Sequence, residues 1–109
     1  MFKITKLQGT KTVEDGTYEI ATALNSKTVL DILNGSNENG ANLQIWQSSN
    51  VQQQKFKLKY QGDGSYIIQS AKSGKVLEVA NSGMASGTNV RQNTSNNSDQ
   101  QRWIIKSAG

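Results

Sequence analysis

Val29-Leu30-Asp31, Gly40-Ala41-Asn42-Leu43-Gln44-Ile45-Trp46 and Gln53-Gln54-Lys55-Phe56 make one ordered stretch, and that stretch occurs twice in the chain. Its second occurrence reads Val76-Leu77-Glu78, Gly87-Thr88-Asn89-Val90-Arg91-Gln92-Asn93 and Gln100-Gln101-Arg102-Trp103. Asp31 and Glu78, Gly40 and Gly87, and Gln54 and Gln101 each stand 47 residues apart. A repeat with a period of roughly 20 to 50 residues decides the architecture first, because each unit buries its apolar face only against its neighbours.

Working outward, the rest of the chain repeats in the same order, with the Asp-Gly turns one residue further apart than the motifs. Asp15-Gly16 and Asp63-Gly64 are turn dipeptides that open new strands, Thr17 to Ala21 and Ser65 to Gln69, with Tyr and Ile at alternate positions. Further strands are expected over Thr28 to Ile32 and Lys75 to Val79, and over Asn42 to Gln47 and Asn89 to Thr94. The Asn- and Gly-rich loops between them, Asn34 to Asn39 and Asn81 to Ser86, suit left-handed backbone and side-chain turns. Phe2 to Leu7 alternates like the strands that begin at Lys55 and Arg102, and reads as the last strand of an otherwise missing unit. No segment carries apolar residues at helical spacing over three turns, so the expectation is an all-β domain of short strands.

Composition removes several chemistries. The chain has 109 residues, 34% of them hydrophobic, with no Cys and no His. Disulfide frameworks, thiolate zinc sites and Ser-His-Asp or Cys-His nucleophiles are therefore excluded, and the reading calls for no metal and no cofactor. The net charge is +4, but the lysines are scattered singly rather than gathered into a stripe with aromatics, so no nucleic-acid partner is expected. Lys55, Lys57 and Lys59 alternate and read as a solvated strand face. No apolar run approaches the roughly 20 residues of a membrane helix, and no apolar signal segment follows Met1-Phe2-Lys3. A glycosidase needs two carboxylates across a cleft; no obvious pair exists, and no enzymatic activity is expected. The sequons at Asn34, Asn93 and Asn96 arise easily in so Asn-rich a chain.

The ordered set Leu-Asp-Ile, Asn-Gly-Ala-Asn-Leu-Gln-Ile-Trp and Gln-Gln-Lys-Phe, with its Gln-x-aromatic endings at Gln54-Lys55-Phe56 and Gln101-Arg102-Trp103, resembles the bacterial branch of the ricin B-type lectins. The resemblance covers about residues 15 to 106. It implies a β-trefoil, in which three four-stranded repeats surround a pseudo-threefold axis and the Gln-x-aromatic residues enter a shared core. This chain would then be one lectin domain: residues 1–14 the last strand of a missing repeat and a linker, 15–62 the first repeat, 63–109 the second. Packing is expected of Tyr18, Leu30, Phe56, Tyr66, Leu77 and Trp103. Gln54 and Gln101 are expected to tie loop backbone.

Carried over position by position, the resemblance implies a sugar site in the first repeat. Asp31 stands where a carboxylate accepts bonds from two neighbouring hydroxyls, Gln44 and Gln53 flank it, and Trp46 is the stacking platform. The chemistry suits a pyranose: an indole offers a polarisable apolar face to the C–H side of the ring, and a carboxylate offers strong acceptors to the hydroxyl rim. Trp46 as core and Asp31 as a strand-end carboxylate are the competing accounts. In the second repeat Glu78, Arg91 and Asn93 replace the matching residues and only Gln100 remains, so that site is expected to be degenerate; the alternative is a changed ligand, with Arg91 attracting an acidic sugar. The implied function is non-catalytic binding of galactose-type glycans in an extracellular setting, holding a parent protein or assembly to them. The rival is a structural or protein-interaction trefoil with a vestigial site. Because a trefoil needs three repeats, the core is expected to be lined by Phe2, Phe56 and Trp103. Leu30 or Ile68 should be left exposed, and either self-association or the remainder of a larger parent chain should supply the missing strands.

Overall fold

A computed structural model describes residues 13–22, 24–80 and 88–105. Its nine strands are β1 (Gly16–Tyr18), β2 (Ala21–Thr22), β3 (Asn25–Ile32), β4 (Leu43–Gln47), β5 (Phe56–Tyr60), β6 (Ser65–Ser70), β7 (Val76–Val79), β8 (Val90–Asn93) and β9 (Trp103–Ile104). Single 3-10 turns lie at Leu33–Gly35, Gln52–Gln54 and Asp99–Gln101. The last two stand 47 residues apart, like the sequence motifs that contain them.

All pairings are antiparallel. β1, β5, β6 and β9 lie side by side in that order: Tyr18 is opposite Phe56, Phe56 opposite Ser70, and Tyr66 lies between Tyr60 and Trp103. Two hairpins, β3–β4 and β7–β8, extend from this row with the same internal register, Asp31 opposite Gln44 and Glu78 opposite Arg91. Alternation explains the layers. On β5, Phe56 and Leu58 are buried while Lys57 and Lys59 are exposed, since successive side chains point to opposite faces. The core gathers Leu30, Ile32, Phe56, Leu58, Tyr66 and Ile68 with Leu77 and Ile105. Each fully buried aliphatic or aromatic side chain contributes about 1.5–3 kcal/mol.

Polar side chains hold the two halves together. Gln92 on β8, buried completely, donates to the carbonyls of Ser36 and Glu38 at 2.9 and 2.8 Å and accepts from the Ser73 hydroxyl at 2.9 Å. Its backbone bonds on both sides as well, from the N–H of Gly40 at 2.8 Å and to the carbonyl of Ala41 at 2.9 Å. Asn39 accepts from both the N–H and the hydroxyl of Thr94 at 3.0 Å, and Asn89 donates to its own counterpart, Asn42. Tyr66 closes the other end: its hydroxyl donates to the carbonyl of Val13 at 2.7 Å and accepts from the N–H of that residue at 2.9 Å.

Several expectations change. Thr17 to Ala21 is not one strand. β1 pairs with β5, whereas the carbonyl of Ile20 accepts from the N–H of Leu30 and Ala21 pairs with Val29, so the chain changes partner at residues 19–20. Leu30 and Ile68 are buried rather than exposed, because they join one core cluster with Phe56, Leu58, Tyr66 and Leu77. Tyr18, expected to pack, is 37% exposed, while Tyr66 at the matching place is 0% exposed. The difference follows from the neighbours: Tyr66 sits between two strands and against Tyr60, with ring centroids 5.2 Å apart, whereas among the described residues β1 ends the row. Trp103, expected to be core, is half-buried at the other end and donates its indole N–H to the carbonyl of Leu77 at 3.2 Å. The proposed strand Phe2 to Leu7, and with it Phe2 as a core residue, lies outside the described residues, as does the loop 81–86.

Candidate binding site

The β3–β4 hairpin brings three of the four expected residues onto one face. Asp31 is opposite Gln44, and Val29 is opposite Trp46. Directly opposed residues share a face, as do residues two apart, so Asp31, Gln44 and Trp46 point the same way. The other face carries Leu30 and Ile32 into the core. Trp46 is 60% exposed, which removes the core-packing account of it.

Asp31 is buried, and its charge is held by amides. Gln44 donates to one carboxylate oxygen at 3.2 Å and Gln54 to the other at 3.0 Å. Gln54 has no freedom left: it also donates to the carbonyl of Gln47 at 3.0 Å and accepts from the N–H of Ser49 at 2.9 Å. A carboxylate offers about four lone-pair positions, so two acceptors remain. Gln53 comes in from the turn before β5. Its carboxamide lies 3.2–3.4 Å from the place a β-carbon on Gly35 would take. Gly35 also has a φ of +60°, which a side chain tolerates poorly. Gly35 thus lets Gln53 lie against the turn that follows Asp31. Sequence reasoning missed both this glycine and the clamp by Gln54 on the carboxylate. The Asn34-Gly35 turn dipeptide was the available signal for the first. Nothing in the sequence signalled the second beyond the 23-residue separation that recurs between Glu78 and Gln101.

In the β7–β8 hairpin the same positions meet with different chemistry. Gln101 donates to one oxygen of Glu78 at 3.0 Å, donates to the carbonyl of Thr94 at 2.9 Å and accepts from the N–H of Asn96 at 2.8 Å, copying Gln54 bond for bond. The other Glu78 oxygen takes Arg91 at 2.8 Å and Asn93 at 3.1 Å. The platform position is therefore occupied by a donor that folds inward, and an internal ion pair neutralises the carboxylate. Burial alone pushes the Glu78 carboxyl up; the bonds from Gln101, Arg91 and Asn93 and the charge of Arg91 outweigh it and hold the group below its ordinary value. Gln100 is half-buried beside Gln101.

Comparisons with known proteins agree with this geometry. The family model described as ricin-type beta-trefoil lectin domain-like matches residues 2–93 and 52–109. A designed three-fold symmetric protein, ThreeFoil, is 31% identical with a TM-score of 0.82, over 95% of this chain and 69% of that one. The exo-beta-1,3-galactanase 1,3Gal43A from Clostridium thermocellum is 25% identical with a TM-score of 0.79, over 94% of this chain but only 21% of the galactanase. The Rhizoctonia solani agglutinin, 22% identical with a TM-score of 0.55, is covered over 99% of its length by 90% of this chain, and that likeness bears on fold alone. The curated proteins give no match. With the family model spanning nearly the whole chain, a trefoil-like all-β architecture and the repeated Gln-x-aromatic clamps, the chain belongs to the ricin-type β-trefoil lectin domain-like family.

Proposed function

We propose that the chain binds carbohydrate without catalysis, through one site made by Asp31, Gln44, Trp46 and Gln53. The observation that carries this is an exposed indole sharing a strand face with a fixed carboxylate that still has acceptor capacity. A pyranose laid with its C–H face on Trp46 would turn its hydroxyl rim toward Asp31, with Gln44 and Gln53 as flanking amides. A galactose-type sugar fits a carboxylate that takes two neighbouring hydroxyls, and similarity to part of a galactanase points the same way. Affinity at one shallow site is weak, on the order of 1 mM or about −4 kcal/mol. The β7–β8 site takes no part, because Arg91 and Asn93 use the carboxylate that a sugar would need. Such a module would work outside the cell, holding a parent protein or assembly to a glycan.

A vestigial site in a structural or protein-interaction trefoil is the second reading. It draws on the burial of Asp31 and on the bond Gln44 already makes to it. Titrating the chain with galactose, lactose and a panel of immobilised glycans while following tryptophan emission separates the two. Saturable quenching or a spectral shift from Trp46 supports the lectin reading. A flat response across the whole panel supports the vestigial one.

A further inference from the structure

We propose that the Asn34-Gly35 peptide is a self-modification site, at which the folded chain loses the side-chain amide of Asn34 and so unseats Gln53. The turn after Asp31 asks for this dipeptide. Asn34 takes φ 57° and ψ 17°, and Gly35 follows at φ +60°. Two successive left-handed residues suit asparagine and then glycine. Glycine is required a second time, because a β-carbon on Gly35 would stand 3.2–3.4 Å from the carboxamide of Gln53. The pair that gives the turn its shape brings a reaction with it, since glycine leaves its own nitrogen unshielded beside the asparagine amide.

In that reaction the Gly35 nitrogen gives its proton to water and attacks Cγ of Asn34. The N–Cγ bond forms, the Cγ–Nδ2 bond breaks, and the amide departs as ammonia with a proton from water. Water then opens the five-membered imide at either of its carbonyls. Opening at Cγ leaves an ordinary aspartyl residue. Opening at the main-chain carbonyl leaves an isoaspartyl residue, whose backbone runs through the former side chain and is one carbon longer. One water enters and one ammonia leaves, and nothing is oxidised or reduced.

The chain carries a second Asn-Gly pair, Asn39-Gly40, and the fold treats the two differently. The Gly40 N–H donates to the carbonyl of Gln92 at 2.8 Å, and Oδ1 of Asn39 accepts from the N–H and the hydroxyl of Thr94, both at 3.0 Å. Nucleophile and electrophile are thus both tied down. Around Asn34 the bonds stop on either side: the Leu33 N–H donates to the carbonyl of Asn42 at 2.9 Å, and the Ser36 carbonyl accepts from Gln92 at 2.9 Å. Between these anchors, among the described residues, neither the Asn34 side chain nor the Gly35 N–H makes a hydrogen bond, and Asn34 is exposed to water. In the other two 3-10 turns the last residue, Gln54 or Gln101, does bond back through its N–H at 3.1 Å. Attack requires the Asn34–Gly35 peptide to rotate, and no bond resists that rotation here. A carbon added between fixed anchors makes the turn bulge, and Gln53 lies against the place where it does. On the sugar reading above, the same change takes a flanking amide from the site.

The test is to hold the folded 109-residue chain in warm, mildly alkaline buffer and map its peptides by mass spectrometry, with enzymatic methylation to score isoaspartyl groups. Asn34 is expected to convert at least about 10-fold faster than Asn39, which is what opening two ordinary hydrogen bonds would impose on the slower pair. In guanidinium chloride, where no fold protects either pair, the two rates should come together. The modified fraction carries an extra negative charge and separates by ion exchange. In it the side-chain amide NMR signals of Gln53 should shift while those of Gln101 stay in place. Neither readout uses a sugar, so a failure of the binding reading leaves this result standing. Equal rates in the folded chain, faster conversion at Asn39, a ratio undiminished in guanidinium chloride, or unmoved Gln53 signals overturns the inference.

Discussion

Trp46 and Asn93 hold the same place in two hairpins and do opposite things. The indole stands out from its strand; the amide turns in to a carboxylate. Trp46→Ala should therefore abolish the emission response to sugar while changing stability by no more than about 0.5 kcal/mol, the range of ordinary surface substitutions. If urea denaturation finds the variant unfolded, the indole has a packing role and the site assignment is wrong. Asp31→Asn is expected to lose both binding and stability. Gln54 cannot reorient to meet an amide, because its oxygen is committed to Ser49 and its nitrogen to Gln47. A cost of about 1.5–3 kcal/mol follows for a lost bond to a buried charged group.

Glu78 gives a pH signature. Burial raises its pKa, but the donors and the Arg91 charge lower it further, so the folded value lies below that of a free glutamate. A depressed folded pKa means the unfolded state binds the proton more readily. The stabilisation is fully present above the ordinary glutamate range and is lost as pH falls through the lower folded value. Denaturation midpoints collected from neutral pH into acid should show this loss, and Glu78→Gln should flatten that part of the curve while leaving sugar binding unchanged. An acid limb that is identical in the variant would mean that other carboxylates govern it.

At the level of elements, the strand that matters most to assembly is β8. Five bonds from Gln92 join it to residues 36–41 and to Ser73. Gln92→Ala removes the three made by the side chain and leaves the carbonyls of Ser36 and Glu38 without that donor, a cost on the order of 1–2 kcal/mol. Hydrogen exchange at the Gly40 and Gln92 amides should accelerate in that variant well before exchange along the β5–β6 ladder. Uniform acceleration would show that the seam has no local stability of its own. Much of this level was legible in advance. Alternation located β5 and β6, and the constant spacing of 47 required the two hairpins to match each other; that Asp31 stands opposite Gln44 and Val29 opposite Trp46 is seen only in the fold. The partner change at residues 19–20 was not legible, since Tyr18, Glu19 and Ile20 alternate as a single strand would. Gln92 was missed for a related reason. Between Arg91 and Asn93 it reads as one more polar residue, and its burial depends on a loop more than 50 residues away.

For the whole molecule, matching residues differ according to whether a neighbour covers them. Phe56, between the two halves, is fully buried, and Phe56→Ala should cost about 3–5 kcal/mol. Trp103 stands at the end of the row, and truncation there should cost less, about 1–2 kcal/mol. Equal costs by chemical denaturation would indicate that Trp103 is covered in solution. The Gln-x-aromatic motif named both residues as core; only the number of flanking strands distinguishes them, and a motif does not contain that number.

The clamps of Gln54 and Gln101 separate frame from face: the two repeats share the bonds made to backbone and differ in the side chains beside the carboxylate. The Gln bonds to the carboxylate and to two backbone groups are the same in both copies, while Arg91 and Asn93 stand in the second where Gln44 and Trp46 stand in the first. The frame thus does not depend on the outward side chains, and a repeat can carry a different outward set without a change of shape. The outward set should therefore be exchangeable. Glu78→Asp, Arg91→Gln and Asn93→Trp together would return the outward set to a frame that already holds it. The expected outcome is a bivalent chain with two sugar equivalents bound by calorimetry, and tighter retention on a multivalent glycan surface than on free sugar. A folded triple variant that still binds one equivalent would show that the second unit has lost more than its outward side chains.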